Sequence, residues 1–106
     1  MHNLNYQKEV KRTMGMPTDF KASLCNWSLG LSGETGEVVE HIKKYVFHEK
    51  ELDIDAVEKE LGDVLWYLTA LINDLDLSLD SVMTKNVEKL RKRYPEGFKK
   101  VKKVCS

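Results

Sequence analysis

Apolar residues recur every three or four positions along most of the chain, which is the spacing of one face of a helix. The pattern predicts four helices, over about residues 3–14, 19–48, 53–75 and 79–93, and no run of alternating residues predicts a strand. The apolar stripes of the two longest helices are Leu24, Trp27, Leu31, Val38, Ile42 and Val46, and Val57, Leu61, Val64, Leu65, Leu68, Leu71, Ile72 and Leu75. Short connections favour antiparallel neighbours. We therefore expect an all-α, four-helix bundle-like protomer with two long antiparallel central helices, assembling as an oligomer that covers the leucine-rich stripe.

Residues that favour helix ends precede the last three predicted helices. Thr18 and Ser78 are N-cap candidates, because a hydroxyl accepts a hydrogen bond from an unpaired backbone N–H. Asp53 or Asp55 is expected to cap the third helix, and Asp55 has capping-box spacing to Glu58. Three glycines, Gly30, Gly33 and Gly36, fall inside the second helix, where they indicate either the close approach of a neighbouring helix or a local bend.

The length of 106 residues corresponds to one domain, which we assign to residues 1–98, followed by a basic tail over residues 99–106. The sequence contains neither a signal-peptide pattern nor a run of apolar residues long enough to cross a membrane. Two cysteines are too few for a disulfide scaffold, and the absence of a CxxC pair argues against a thiolate zinc site. We therefore expect a reducing, cytoplasmic location. Formal neutrality argues against nucleic-acid and membrane partners.

The formal net charge of zero is the sum of opposed blocks. Residues 34–80 carry a net charge of −9 and residues 81–106 a net charge of +7. Solvated helix faces with a basic tail are one interpretation of this pattern. The alternative is that the acidic block holds cations and the basic block holds an anion.

Two pairs of carboxylates are spaced i, i+3 on the two longest helices. Glu34 and Glu37 form one pair, and Glu60 and Asp63 form the other. On a wheel of about 100° per residue, Glu34 and Glu60 lie about 70–80° from the centres of their apolar stripes, and Glu37 and Asp63 about 130–140°. Each helix thus carries one carboxylate at the margin of the core and one farther out. If the stripes pack together, all four carboxylates line one groove.

Carboxylates crowded in one groove repel each other unless a cation lies among them. Oxygen ligands suit Mg²⁺, or alternatively Mn²⁺, and such a site leaves positions open for water and phosphate. A di-iron centre of the bundle type needs Glu-x-x-His on two helices, a pattern that this sequence lacks. Spacing alone does not decide between a metal site and ordinary exposed acidic pairs.

Three short motifs follow one another between residues 30 and 95. Residues 30–40 read GLSGETGEVVE, residues 60–67 read ELGDVLWY, and residues 86–95 read NVEKLRKRYP. In this order they resemble the GLxxExGE, ELxDxLWY and NxxKLxxRYP elements of the MazG-like nucleotide pyrophosphohydrolases, in the all-α NTP pyrophosphatase superfamily. The 22 residues between Glu37 and Glu60 fall within the spacing that this family tolerates.

The resemblance implies a Mg²⁺-dependent enzyme that cleaves a nucleoside triphosphate between its α- and β-phosphates to a monophosphate and pyrophosphate. It also implies a homodimer or homotetramer. The metal ligands that it implies are Glu34, Glu37, Glu60 and Asp63. The groups that it implies for substrate binding are Asn86, Lys89, Arg93 and Tyr94, of which the first three share one helix face by their i, i+3, i+7 spacing. We expect Glu34, Glu37 and Lys89 to contribute most to catalysis, with Glu37 orienting the attacking water.

Trp27 has two interpretations. It lies near the side of its helix that carries Glu34, where an indole can stack on a base, but a large aromatic residue on an apolar stripe is more often part of the core. Two further functional classes stay open: a nucleotide-binding sensor that does not cleave its ligand, and a structural helical interaction module in which the acidic and basic blocks pair between chains.

Overall fold

The computed structural model describes residues 1–15 and 19–98, and within these ranges the fold is all-α. Its helices are α1 (Asn3–Met14), α2 (Phe20–Phe47), α3 (Ile54–Asp74) and α4 (Leu79–Arg93). The predicted limits of the first and last helices are confirmed, and α2 and α3 begin and end within one residue of the prediction. None of the helices described combines the length and apolar character needed to cross a lipid bilayer. The basic tail lies outside the described residues.

Side-chain caps set where three of the helices begin. Asp19, Asp53 and Ser78 are the N-caps of α2, α3 and α4, and each side chain accepts a hydrogen bond from a backbone N–H two or three residues later. The prediction for Ser78 is confirmed, and of the two candidates for α3 the cap is Asp53 rather than Asp55. Thr18 lies outside the described residues, and the N-cap of α2 is the residue after it.

The two long helices α2 and α3 pack side by side in antiparallel orientation. Near one end of the pair, Asp74 on α3 accepts hydrogen bonds from Ser23 Oγ at 2.5 Å and from Trp27 Nε1 at 2.9 Å. Farther along, the ring of Tyr67 lies directly on Gly30 of α2. A Cβ atom at Gly30 would overlap this ring, so close helix approach explains that glycine.

A small aromatic core joins α1 to this pair. Val10 of α1, Trp27 of α2 and Ala70 of α3 are buried together, with Trp66 packed beside them. Trp66 makes an edge-to-face contact with Trp27 at 5.6 Å between ring centroids, and its indole N–H donates to Thr13 Oγ1 at 2.8 Å. These contacts fix α1 against α3.

The side chain of Gln7 in α1 connects the end of α3, the link that follows it and the first turn of α4 through hydrogen bonds. Gln7 Nε2 donates to Asn73 Oδ1 at 2.9 Å and to the carbonyl of Leu77 at 3.2 Å, and Gln7 Oε1 accepts from the backbone N–H of Leu79 at 2.8 Å. Asn73 in turn donates to the carbonyl of Gln7 at 3.1 Å. The first turn of α4 is therefore held by α1 and by the end of α3.

Beyond this first turn, α4 extends away from the other helices. Every residue from Met83 to Arg93 is exposed, and no residue of α4 is buried. The radius of gyration is 17.1 Å, whereas a compact domain of this length has a value of about 13 Å. The predicted all-α, four-helix bundle-like fold is thus confirmed for the described residues, with α4 exposed beyond its first turn.

Much of the predicted apolar stripe is also exposed. The half-exposed leucines of α3 are Leu61, Leu65 and Leu68, and the exposed stripe residues in the second half of α2 are Ile42 and Val46, with Val39 exposed beside them. Leu24 and Leu31, in the first half of α2, are more covered. The core of one chain therefore occupies only one end of the α2–α3 pair.

Candidate functional site

Three carboxylates from two helices converge in the middle of the α2–α3 pair. One oxygen each of Glu34, Glu60 and Asp63 lies within 4.8 Å of the others, and we call these residues the carboxylate cluster. Glu34 lies on α2, and Glu60 and Asp63 lie on successive turns of α3. In the antiparallel pair, these turns of α3 lie opposite Glu34. Glu34 and Glu60 are partly buried and Asp63 is exposed. This order agrees with the positions predicted from the helix wheel.

The local electrostatics oppose the ionised form of Glu34. Desolvation is the largest cause that raises the pKa of its carboxyl group above the ordinary value of 4.5. A hydrogen bond with Glu60 and the negative charges of Asp63, Glu60 and Glu37 raise the pKa further. The protonated form of Glu34 is therefore favoured over a wider pH range than that of an isolated glutamate.

Glu37 lies close to the cluster but outside it. It is exposed and is not among the residues whose oxygens lie within 4.8 Å of one another. Its charge nevertheless contributes to the raised pKa of Glu34, so the two carboxylates interact. The structure thus groups three of the four predicted ligands and places the fourth one turn away on α2.

The donor set of the cluster suits a hard divalent cation. Its three side chains offer only oxygen atoms, and the cluster contains no cysteine or histidine. Carboxylate oxygens are the ligands that Mg²⁺ and Mn²⁺ prefer, and repulsion among ionised carboxylates is relieved by a bound cation. The residues present therefore fit the expected metal.

Two tyrosines lie beside the cluster. Tyr67 follows Asp63 by one turn of α3 and packs on Gly30, one turn before Glu34. Tyr6 of α1 packs against the aromatic core, where burial, and secondarily the charge of Asp63, raise the pKa of its hydroxyl group. The sequence patterns did not indicate Tyr6, because helix periodicity does not reveal which face of α1 meets α3.

Trp27 belongs to the core in this structure. Its side chain is only 5% exposed, it contacts Trp66 edge to face, and its indole N–H donates to Asp74. The stacking interpretation would require an exposed face of this ring. Of its two interpretations from the sequence, the structure supports the core.

The residues predicted to contact phosphate lie on the exposed part of α4. Asn86, Lys89 and Arg93 are all exposed, and among the described helices α4 packs mainly against α1. The guanidinium of Arg93 lies 5.5 Å from the ring centroid of Tyr94, a cation–π contact. Within the described residues, the acidic cluster thus belongs to α2 and α3, and the predicted phosphate-binding groups belong to α4 and its C-cap.

Comparison with known proteins identifies the family. The family model of the MazG nucleotide pyrophosphohydrolase domain matches residues 24–98, which include every predicted site residue. This chain is a member of the MazG family. The chain is also 39% identical over 75 residues to the Gene 37 protein of Mycobacterium phage L5, an alignment that covers 66% of this chain and 65% of that protein. No solved structure matches the chain.

Family membership supports the resemblance that the three motifs carry. The first two motifs supply all members of the carboxylate cluster, and the third supplies the basic residues of α4. The MazG match thus spans both surfaces of the candidate site. It indicates a nucleotide pyrophosphohydrolase at the level of the family.

Proposed function

We propose that this MazG-family chain is a Mg²⁺-dependent hydrolase that cleaves nucleoside triphosphates between the α- and β-phosphates. The substrates would be ribo- or deoxyribonucleotides, and the products would be a nucleoside monophosphate and pyrophosphate. The observation that carries this proposal is the carboxylate cluster, in which two helices bring Glu34, Glu60 and Asp63 within 4.8 Å of one another. Repulsion among these carboxylates destabilises the cluster when no cation is bound, and a bound divalent metal would offset that repulsion.

The cluster would hold the metal, with Glu37 as an additional ligand. Mg²⁺ or Mn²⁺ at this position would offset the negative charge of the triphosphate and polarise its phosphoryl oxygens. The protein contributes the rigid antiparallel pair that keeps Glu34 opposite Glu60 and Asp63. Because Gly30 has no side chain, the ring of Tyr67 can lie on α2 and the pair can approach closely.

The proposed reaction is the hydrolysis of one phosphoanhydride bond. The oxygen of a water molecule adds to the α-phosphorus, and the bond from that phosphorus to the oxygen shared with the β-phosphate breaks. Pyrophosphate leaves with the bonding electron pair. Glu37 is our candidate for orienting the water and accepting its proton, because it is exposed yet interacts with Glu34.

The basic face of α4 would bind the phosphates. Lys89 and Arg93 are cations one turn apart, and Asn86 lies one turn before Lys89 on the same face. Their positive charge would stabilise the charge that develops on the leaving pyrophosphate, and Tyr94 would add a hydrogen bond. Each of these four residues lies within the third MazG-like motif.

We also propose that the chain functions as a homodimer or homotetramer. The half-exposed leucines of α3 and the exposed apolar residues of α2 form a surface that a stable monomer would seldom leave open. A second copy would cover this surface.

A panel of ribo- and deoxyribonucleoside triphosphates with Mg²⁺ tests the proposed function, with pyrophosphate release as the readout. Release that stops with EDTA, and that Glu37→Gln abolishes while the fold is retained, would support the enzyme. Nucleotide binding without release would instead indicate the sensor, and neither binding nor release would indicate the structural module. The panel would also show base and sugar preference.

A further inference from the structure

Tyr6 lies beside the carboxylate cluster but outside the residues that the MazG family model matches. The match begins at residue 24, whereas Tyr6 belongs to α1, which packs on α3. Its ring packs against the aromatic core, as does the ring of Tyr67 from α3. Because Tyr67 follows Asp63 by one helical turn, α1 adds a second tyrosine on the side of the cluster nearer the aromatic core.

The hydroxyl group of Tyr6 is accessible to a ligand. Among the described residues, no side chain or backbone group forms a hydrogen bond with this hydroxyl. Every buried side-chain oxygen or nitrogen in this part of the chain has a hydrogen-bond partner, so the hydroxyl of partly buried Tyr6 must be in contact with solvent. Burial, and secondarily the charge of Asp63, raise the pKa of the hydroxyl group, which therefore stays protonated as a neutral donor.

The two directions along the α2–α3 pair away from the cluster differ in chemical character. Toward the core, the partly buried neighbours are the aromatic residues Tyr6, Trp66 and Tyr67. For two turns in the other direction, the apolar residues are the aliphatic Val38, Val39, Ile54 and Val57. A nucleoside offers a flat base and hydrogen-bonding groups on its base and sugar, and aromatic rings with an accessible donor suit such a ligand. The core side of the cluster is therefore the better place for a nucleoside.

We infer that Tyr6 contacts the nucleoside part of the substrate, with its hydroxyl group donating a hydrogen bond to an oxygen or nitrogen of the sugar or base. Tyr6 is then a specificity-determining residue that α1 supplies, whereas the phosphates bind at the carboxylate cluster. This inference rests on the proposed function, since it divides the nucleotide between these two places. It extends the site beyond the matched MazG domain.

Steady-state kinetics of Tyr6→Phe test this contact. The substitution removes the hydroxyl group and keeps the ring in the core, so the chain is expected to fold. We expect KM for nucleoside triphosphates to rise about 3–10-fold, as for the loss of one hydrogen bond between uncharged groups, while kcat changes by less than about twofold. Tyr45→Phe removes a hydroxyl group from an exposed tyrosine near the other end of α2 and should leave KM unchanged. An unchanged KM in Tyr6→Phe would overturn the inference.

Inorganic tripolyphosphate distinguishes contact with the nucleoside from a structural role, because it carries phosphates without a sugar or base. Calorimetric titration with Mg²⁺ and tripolyphosphate should give the same affinity for wild type and Tyr6→Phe. A loss of tripolyphosphate affinity as large as the loss for nucleotides would show that Tyr6 acts on the carboxylate cluster, and would refute the inference.

Binding measurements also separate this inference from the proposed hydrolysis. If wild-type protein releases no pyrophosphate, nucleoside triphosphates with Mg²⁺ stay intact during the titration and report the site without catalysis. Nucleotide binding that is about 3–10-fold weaker in Tyr6→Phe, with unchanged binding of tripolyphosphate, would support the inference while the hydrolase proposal failed. Equal nucleotide affinity of the two proteins would contradict the inference, whether or not the wild type is active.

Discussion

At the scale of single residues, the pH dependence of stability should reveal the interaction of Glu34 with the other carboxylates of the cluster. Burial and neighbouring negative charge raise the pKa of this carboxyl group in the folded chain. A raised folded-state pKa contributes stability below the unfolded pKa, and this contribution is lost as pH rises through the folded pKa. When metal is absent, we therefore expect the contribution of Glu34 to the free energy of unfolding to decline as pH rises from the unfolded-state pKa through the folded-state pKa.

Urea unfolding across this pH range in EDTA measures the effect. Glu34→Gln should remove this component of the pH dependence, because glutamine does not ionise. Glu58→Gln, a substitution at an exposed position outside the cluster, should leave it in place. An unchanged pH slope in Glu34→Gln would show that the cluster does not repel in the folded state.

The contact between Gly30 and Tyr67 gives a second prediction at this scale. Gly30→Ala would push its new Cβ into the tyrosine ring and force the ring out of its edge-to-face contact with Trp66 at 5.0 Å. We expect a loss of about 1–3 kcal/mol in the free energy of unfolding, as for other overpacked sites. Chemical denaturation measures this loss.

Gly33→Ala is the matched control on the same helix. Apart from its chain neighbours and the backbone of its own helix, no described atom lies within 4 Å of the position of its added Cβ. The better helix propensity of alanine should therefore raise stability by up to about 1 kcal/mol. Equal effects at the two glycines would contradict the close packing of Tyr67 on α2.

The sequence predicted much of the site at this scale. The helix wheel placed Glu34 and Glu60 near the core and Asp63 farther out, as the structure confirms. It placed Glu37 at an offset similar to that of Asp63, but the structure includes only Asp63 in the cluster. A wheel gives angles about one axis and does not give the distance from a side chain to the neighbouring helix.

At the scale of elements, Asp74 ties the beginning of α2 to the end of α3. It accepts hydrogen bonds from Ser23 and Trp27, both of which are buried. Asp74→Ala would leave the indole N–H of Trp27 without its acceptor, whereas Ser23 Oγ keeps the carbonyl of Phe20 at 3.0 Å, so we expect a loss of about 1–3 kcal/mol in the free energy of unfolding. Asp76→Asn, at an exposed position with positive φ that asparagine tolerates, should change stability by less than about 0.5 kcal/mol.

Thermal or urea unfolding of both variants tests this connection. A loss as small for Asp74→Ala as for Asp76→Asn would show that the two helices are held together without it. The sequence did not reveal this connection, because Ser23 and Asp74 are 51 positions apart. Periodicity predicted the helices and their apolar faces, but contacts between polar side chains depend on how the helices turn toward each other.

At the scale of the whole molecule, we expect the exposed apolar stripe of α4, formed by Met83, Val87 and Leu90, to lie in the proposed subunit interface. Leu90→Glu would bury a charge in that contact, and we expect at least a tenfold weaker association, or about 1.4 kcal/mol. Thr84→Glu adds the same charge to an exposed position of α4 away from the stripe. Sedimentation velocity over a dilution series compares the two variants, and equal association would argue that α4 lies outside the subunit interface.

The arrangement of α4 was the feature least accessible from the sequence. Its limits, Leu79–Arg93, followed from Ser78 as a cap and from the apolar spacing. Its direction depends on Gln7, which holds the first turn of α4 through hydrogen bonds to Leu77 and Leu79. Most of α4 is exposed, and the neutral total charge conceals an acidic block over residues 34–80 and a basic block over residues 81–106.

The most direct test of the account is pyrophosphate release by three proteins assayed side by side with Mg²⁺: wild type, Glu60→Gln and Glu58→Gln. Loss of one group around a metal ligand costs about 10–100-fold, so loss of the ligand itself should lower turnover by at least about 100-fold. Glu58→Gln, two residues earlier on α3 and exposed, should retain wild-type turnover. The account predicts pyrophosphate from wild type and Glu58→Gln, and almost none from Glu60→Gln. Equal release by all three proteins, or orthophosphate as the product, would contradict it.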